Sequence, residues 1–293
     1  MAVLDGKGLS ETIKQEIAVK VDEIRNKGGN IPHLAAVLVG DDPASQAYVR
    51  NKVRSCEQVG FESTLIRKDS SITEEELLEI VDDLNNNEDI DGFIVQLPLP
   101  DHINEERVTL AIDHRKDVDG FHPVNFGRMA QGMPAYIPAT PLGILTMLER
   151  YNIETSGKKV VVVGRSNIVG TPISILLSRK AKVGNATVTL THSRTKDIAA
   201  EILAADIIIA AIGVPGFISD DMVKEGAVII DVGINRVDDD TRKRGYRLVG
   251  DADYDAVADR CSFITPVPGG VGPMTVASLL LNTLSASQKE IYD

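Results

Sequence analysis

Tyr48 and Lys52 stand four residues apart in DPASQAYVRNK, so on a helix their side chains leave one face and offer an aromatic ring and an amine to the same cleft. A lysine in a cleft can take a proton when neutral or polarise a neighbour when charged. Gln96 follows the apolar run of GFIVQLPLP at what would be the carboxyl edge of a strand, the edge where open parallel sheets bind ligands. Downstream, KDVDGFHP offers two carboxylates, Asp117 and Asp119. Each group also has a plainer reading: the Tyr48 and Lys52 pair as an ordinary amphipathic surface helix, Gln96 as a partner for buried backbone, the aspartates as turn residues. Spacing by itself leaves these open.

A second chemistry is written into residues 159–195. The apolar run Lys159 to Val163 leads into GRSNIVG and then an apolar helix, the strand, turn and helix context in which glycines let a pyrophosphate approach a helix N-terminus. Gly164 and Gly170 would permit that approach. The pattern departs from GxGxxG, with Ser166 in place of the second glycine and Val169 in place of the third, so a tight structural turn is the alternative. The next strand, Thr187 to Thr191, ends in His192, Ser193 and Arg194 instead of the acid that would bond a ribose 2′-hydroxyl. Arg165 lies in the glycine turn on the same side of the expected fold. Guanidinium groups and a hydroxyl suit a 2′-phosphate, which points to NADP; solvated surface arginines are the alternative.

The elements that must position these groups follow from periodicity. Leu9, Ile13, Ile17, Val21 and Ile24 share a helical face that stops at Gly28 and Gly29. Leu34 to Val39, Phe61 to Ile66 and Phe93 to Leu97 read as strands, with helices from Ala44 to Val59 and, behind a capping box of Thr73 and Glu76, to about Asn85. Between His102 and Ala139 the periodicity weakens and Gly, Pro and Asp accumulate, as at a domain junction. Thr140 and Pro141 then supply an N-cap and a first-turn proline for a helix reaching Tyr151. Strands follow at Lys159 to Val163, Thr187 to Thr191, Ile207 to Ala210 and Val228 to Asp231, spaced for crossovers in a doubly wound, Rossmann-type nucleotide-binding domain. The charged stretch from Val237 to Arg247 reads as a solvated hairpin or loop.

Composition narrows the class. The 293 residues exceed the usual span of one core, which favours two domains, both α/β with parallel sheets. A net charge of −12 disfavours nucleic acid and anionic membrane as partners, and no apolar run approaches the roughly 20 residues that span a bilayer. The start MAVLDGKGLSETIKQ lacks the features of a secretory signal, and Cys56 and Cys261 form neither a metal pair nor a disulfide framework. A cytoplasmic protein with no structural metal is the expectation.

Taken together and in order, DPASQAYVRNK, QLPLPDHI, KDVDGFHPVNFG, TPLGIL, GRSNIVGTP, ATVTLTHSRT, DVGIN and ITPVPGGVGPMT resemble the bifunctional methylenetetrahydrofolate dehydrogenase and methenyltetrahydrofolate cyclohydrolase family over nearly the whole chain. QLPLP and ITPVPGGVGPMT are the specific motifs; the glycine turn is not. The resemblance implies a catalytic domain over residues 1–139, completed by a C-terminal helix over 274–293, and an NADP domain over 140–273, in a homodimer acting on tetrahydrofolate derivatives. It implies Lys52 as the catalytic lysine, Tyr48 stacking on the folate, Gln96 orienting the lysine and Asp119 gripping the pterin. Pro268 and Gly269 would close over the folate. Arg165 and Ser193 would contact the 2′-phosphate, with Ser166, Ile168 and Ile234 lining the rest of the cofactor. One departure is that the family commonly has cysteine before the TPxG helix, where this chain has Ala139, so a thiol there is not required. A dehydrogenase of another substrate is argued against by QLPLP and PVPGGVGP, and a non-catalytic binding protein by the presence of Lys52 and Asp119. A member with only one activity stays open.

Overall fold

The computed structural model describes residues 2–292. The chain opens with a short strand, β1 (Ala2–Val3), and a long helix, α1 (Gly6–Asn26). It continues through β2 (His33–Val39), α2 (Pro43–Val59), β3 (Glu62–Lys68), α3 (Glu74–Asn86), β4 (Gly92–Val95), α4 (Glu105–Ala111), α5 (Pro123–Ala130) and α6 (Ala139–Arg150). After these come β5 (Lys159–Val163), α7 (Gly170–Ser178), β6 (Thr187–Thr191), α8 (Ile198–Leu203), β7 (Ile207–Ala210) and β8 (Val228–Asp231). The last elements are β9 (Asn235–Asp238), β10 (Tyr246–Val249), α9 (Tyr254–Val257), β11 (Phe263–Ile264) and α10 (Val271–Ser287). Two compact units result: residues 11–139 with 276–292, and residues 2–10 with Thr140–Thr275.

The unit of residues 11–139 and 276–292 is built on a parallel sheet of order β3-β2-β4. Ala35, Val37 and Val39 of β2 alternate onto one face with Phe93 and Val95 of β4, where they pack with Leu77, Val81 and Leu84 of α3 and Val108 of α4. Leu34, Ala36, Leu38 and Ile94 on the opposite face are buried as well, the double cover a parallel sheet requires. α2 is defined by its ends. Asp42 accepts the Ser45 N–H at 2.7 Å, Pro43 occupies the first turn, and Gly60 closes the helix at φ 79°. α3 carries the expected capping box between Thr73 and Glu76.

The other unit holds a six-stranded parallel sheet of order β1-β11-β8-β7-β5-β6. Chain order reverses at β5, with β6 on one side and β7 on the other. One face packs Val161, Val163, Ile208, Ala210 and Ile229 against Ile202, Val223, Val257 and Cys261. The alternate residues Val160, Val162, Ile207, Ile209 and Ile230 are also buried. β9 and β10 pair as an antiparallel hairpin, the form expected for the charged stretch.

Residues 102–139, where the periodicity of the sequence weakens, hold α4 and α5; each is too short to show a helical period, and His122 and Pro123 start α5 as a cap and first-turn proline. Three expectations need correction. α6 begins at Ala139, so Thr140 is inside it, and its Oγ1 meets Thr275 Oγ1 at 3.0 Å instead of capping. β4 ends at Val95, two residues short of Leu97, although the Gln96 N–H still donates to Val37 O at 2.9 Å. Residues 2–10 cluster with the second unit, not with residues 11–139, because β1 pairs with β11, and α10 starts at Val271, before residue 274.

Candidate active site

Lys52 comes from α2, at a place unusual for an ammonium. The buried stripe of that helix runs Ser45, Val49, Lys52, Cys56 and Val59, so Lys52 holds a core position and is 7% exposed. A charge taken out of water must be met by polar atoms. Lys52 Nζ donates to Gln96 Oε1 at 3.3 Å and lies 4.0 Å from Asp119 Oδ2. Gln96 is itself fixed: its backbone N–H reaches Val37 O at 2.9 Å, and its side-chain amide donates to Leu97 O at 2.7 Å, which leaves the amide oxygen for the lysine. Tyr48, one turn earlier on α2, keeps 41% of its surface exposed. Lys52, Gln96 and Asp119 thus converge from a helix, a strand end and a loop.

The two aspartates of KDVDG separate here. Asp117 is 2% exposed and tied into its own loop, accepting the N–H of Phe121 at 3.2 Å, that of His122 at 2.8 Å and the Asn125 side-chain amide at 2.9 Å. Burial pushes its carboxyl up to about 7 against the pull of those donors. Asp119 turns its carboxylate toward Lys52 instead, while its carbonyl accepts the Ala139 N–H at 3.3 Å. Ala139, at the position of the missing thiol, is buried.

The residues expected at a dinucleotide belong to the unit of residues 2–10 and Thr140–Thr275: Gly164 to Gly170 follow β5, Ser193 follows β6 and Ile234 follows β8. The register pairs Val163 with Thr191, so Arg165 and Ser193 each stand two residues beyond paired neighbours, and both are exposed. A turn from His192 to Thr195 presents Ser193 and Arg194, with the Thr195 N–H bonded to His192 O at 2.8 Å. Gly164 has φ +112°, and a Cβ there would meet Ala211 O at 2.2 Å; one on Gly170 would meet Gly164 O at 1.9 Å. Only glycine fits either position. Ser166, in place of the second glycine, accepts the N–H groups of Val169 and Gly170 at 3.2 and 3.3 Å and so caps the start of α7. Ile168 and Ile234 are exposed apolar side chains of this unit. Pro268 and Gly269 belong to it too, in the turn between β11 and α10.

Comparison with known families agrees with this geometry. The tetrahydrofolate dehydrogenase/cyclohydrolase catalytic domain matches residues 4–119, and the NAD(P)-binding domain of the same family matches residues 138–291. The chain belongs to the tetrahydrofolate dehydrogenase/cyclohydrolase family. Among its relatives, the bifunctional protein FolD of Bacteroides thetaiotaomicron is 61% identical over 292 residues, with 100% of each chain covered. The crystal structure of the bifunctional FolD methylenetetrahydrofolate dehydrogenase/cyclohydrolase of Campylobacter jejuni superposes with a TM-score of 0.93 at 44% identity, covering 99% of both chains. A Trypanosoma brucei methylenetetrahydrofolate dehydrogenase-cyclohydrolase, solved with NADP cofactor and an inhibitor, gives a TM-score of 0.93 at 37% identity over 100% of this chain and 99% of the other.

Two buried carboxylates escaped the sequence reading. Asp231, in DVGIN, accepts the N–H groups of Gly233, Asp251 and Ala252 at 2.8–3.0 Å. Asp251 accepts those of Ile212 and Gly213 at 2.7 and 3.0 Å and the Asn235 amide at 2.9 Å. Together they fix the loops that leave β7 and β8, next to Ile234. Their one sequence signal is an acid at the end of an apolar strand, in DVG, and another after the hairpin, in GDAD.

The buried acids set a pH dependence. Asp117 titrates from an ordinary 3.8 when unfolded but at about 7 when folded, so the native state holds the extra proton between those values. Its stabilising contribution is complete below 3.8 and lost as pH rises through about 7. Asp231, pushed up to about 6 by burial, acts with the same sign. Carboxyls held low by hydrogen bonds, such as Asp42 and Asp113, act below that window. Urea unfolding across this range should therefore show stability falling with pH, and Asp117→Asn, neutral throughout, should flatten the slope. An unchanged slope in the variant would remove Asp117 from this role.

Proposed function

We propose that the cleft beside Lys52 binds the folate and that Arg165 and Ser193 hold the 2′-phosphate of NADP. Family membership makes the chain a methylenetetrahydrofolate dehydrogenase and methenyltetrahydrofolate cyclohydrolase. It oxidises 5,10-methylenetetrahydrofolate to the methenyl form and hydrolyses that product to 10-formyltetrahydrofolate. The observation that carries the assignment of roles is the ammonium of Lys52, 7% exposed on a helix's core stripe and facing Gln96 and Asp119. Such a position costs stability, and an alkyl residue would fill it at lower cost unless the charge were used.

The glycine turn supports a bound dinucleotide, since a Cβ at Gly164 or Gly170 would collide with backbone, and no acid follows β6 to bond a free 2′-hydroxyl. NADP, when bound, takes up the hydride from the methylene bridge. The methenyl cation left behind is stabilised by its own two nitrogens, so the chain's contribution to that step is alignment. Tyr48 stacks on the pterin, and Asp119 accepts from its amino and ring N–H donors. Gly164, Ser166, Ile168, Gly170 and Ile234 line the cofactor.

Hydrolysis asks more of the protein. As water oxygen bonds to the methenyl carbon its proton must leave, and a ring nitrogen must take a proton as its bond to that carbon breaks. Lys52 Nζ, oriented by Gln96 Oε1, takes one proton of the water as a neutral amine and returns it to the ring nitrogen, while the second proton of the water leaves to solvent and cancels the charge of the methenyl cation. The homodimer is supported by β3, an edge strand paired only with β2 among the described residues, which can pair with β3 of a second copy. The outer edge of β4 is covered by a bridge from Phe93 to Asp117. No helix among the described residues is long and apolar enough to cross a membrane, and both cysteines are free and buried, which supports a cytoplasmic setting.

Lys52→Met keeps the apolar stem and removes the amine, so methenyl hydrolysis should fall roughly 10²-fold or more while NADP reduction persists. Following reduced cofactor and the methenyl chromophore in one cuvette checks this, and loss of both activities with folate binding intact would refute the division of labour. Arg165→Ala should weaken NADP by about 1.5–3 kcal/mol and leave NAD nearly unaffected, as measured by titration with each cofactor. Equal losses for both would overturn the 2′-phosphate assignment.

A further inference from the structure

The loop that carries Asp119 is held from outside by the segment after residue 276. Asn282 of α10 spends both amide protons on this loop and its neighbour, donating to Val118 O at 2.8 Å and Ile137 O at 2.9 Å. Farther along, Tyr292 folds back over α5. Its hydroxyl donates to Asn125 Oδ1 at 2.6 Å, and its ring packs edge-on against His114 at 5.0 Å and Tyr136 at 5.6 Å, with the Arg128 guanidinium 4.9 Å from its centre.

Asn125 is completely buried, and every polar atom of its amide is used. Its oxygen also accepts the Tyr136 N–H at 3.3 Å, and its nitrogen donates to His114 O at 2.8 Å and Asp117 Oδ2 at 2.9 Å. The Tyr136 N–H, which can only donate, and the His114 carbonyl, which can only accept, set the orientation of the amide, and the phenol hydroxyl adds a second donor to its oxygen that holds the amide in place. Asp117 in turn holds the N–H groups of Phe121 and His122, closing the turn that begins two residues before Phe121 with Asp119.

We propose that Tyr292 is a positioning residue for Asp119, acting through Asn125 and Asp117 to hold the loop at the distance that faces Lys52. Tyr292 bonds neither Lys52 nor Asp119; it braces the amide on which the loop closes. The inference rests on Asp119 being the folate-binding carboxylate, and the test keeps the two apart.

Tyr292→Phe retains the ring and its packing and removes only the hydroxyl. Folate affinity and the KM for methylenetetrahydrofolate should weaken roughly 3- to 10-fold, the effect of one neutral hydrogen bond, with kcat and NADP affinity close to wild type. A double-mutant cycle with Asp119→Ala supplies the readout that a merely structural tyrosine would not move. If Tyr292 acts through Asp119, adding Tyr292→Phe to Asp119→Ala weakens folate no further; if it acts elsewhere, the two factors multiply. Normal folate binding by Tyr292→Phe, parallel loss of folate and NADP, or multiplying factors would each overturn the inference. Normal folate binding by Asp119→Ala alone would overturn the underlying reading of Asp119, whatever Tyr292 does.

Discussion

An ammonium on the apolar stripe of a helix has lost most of its water, and only oxygen atoms brought from other parts of the chain can replace it. Much of the unit around Lys52 serves that requirement. Gln96 delivers one oxygen because β4 is registered on β2, so its backbone continues the ladder to Val37 and its side chain is pinned by Leu97. Asp119 delivers the second from a loop that has no strand or helix of its own. That loop is made rigid by capturing its backbone groups one at a time: Asp117 takes two N–H groups, Asn282 takes a carbonyl, and Ala139 donates to another.

The dinucleotide-binding unit solves the complementary problem. Loops leaving a parallel sheet at its carboxyl end carry N–H groups with no ladder partner, and a buried one is costly. Asp231 and Asp251 answer with carboxylates that are themselves buried, each accepting three donors. The approach is close enough that a Cβ on Gly250 would lie 1.9 Å from Asp231 Oδ2 and one on Gly233 2.2 Å from Asp251 Oδ1. The loops at this sheet edge are thus shaped by carboxyl groups the protein already owns.

How far the amino-acid sequence discloses this depends on whether a residue's partners are local. The strands β5 to β8 were readable to the residue, since a run such as Lys159 to Val163 bounded by glycine has few other uses. The capping box of α3 is a three-residue event and is equally visible, whereas the Asp42 cap of α2, though as local, is not part of the sequence reading. Lys52 is legible from its distance from Tyr48 and from family resemblance, and its place on the buried stripe of α2 is the stronger physical signal. Spacing does not separate Asp117 from Asp119, and only the family resemblance selects Asp119, because what distinguishes them physically is Asn125 on one side and Lys52 on the other, both brought in by tertiary folding. β1 and β11, two residues each, have no period to detect and exist only as partners of one another and of β8. The same is true of Asn282 and Tyr292, whose contacts lie more than a hundred residues back along the chain.

Both compact units are assembled from two separate stretches of chain. On the ribosome, residues 11–139 emerge well before residues 276–292, and at roughly 5–20 residues per second the interval is on the order of ten seconds. Throughout that time the carbonyls of Val118 and Ile137 lack the amide that later bridges them, and the nascent chain can collapse around β2 without a settled Asp119 loop. Synthesis therefore settles this unit in a particular order: the sheet that bears Gln96 can form early, while the loop opposite Lys52 is locked only after Asn282 has followed.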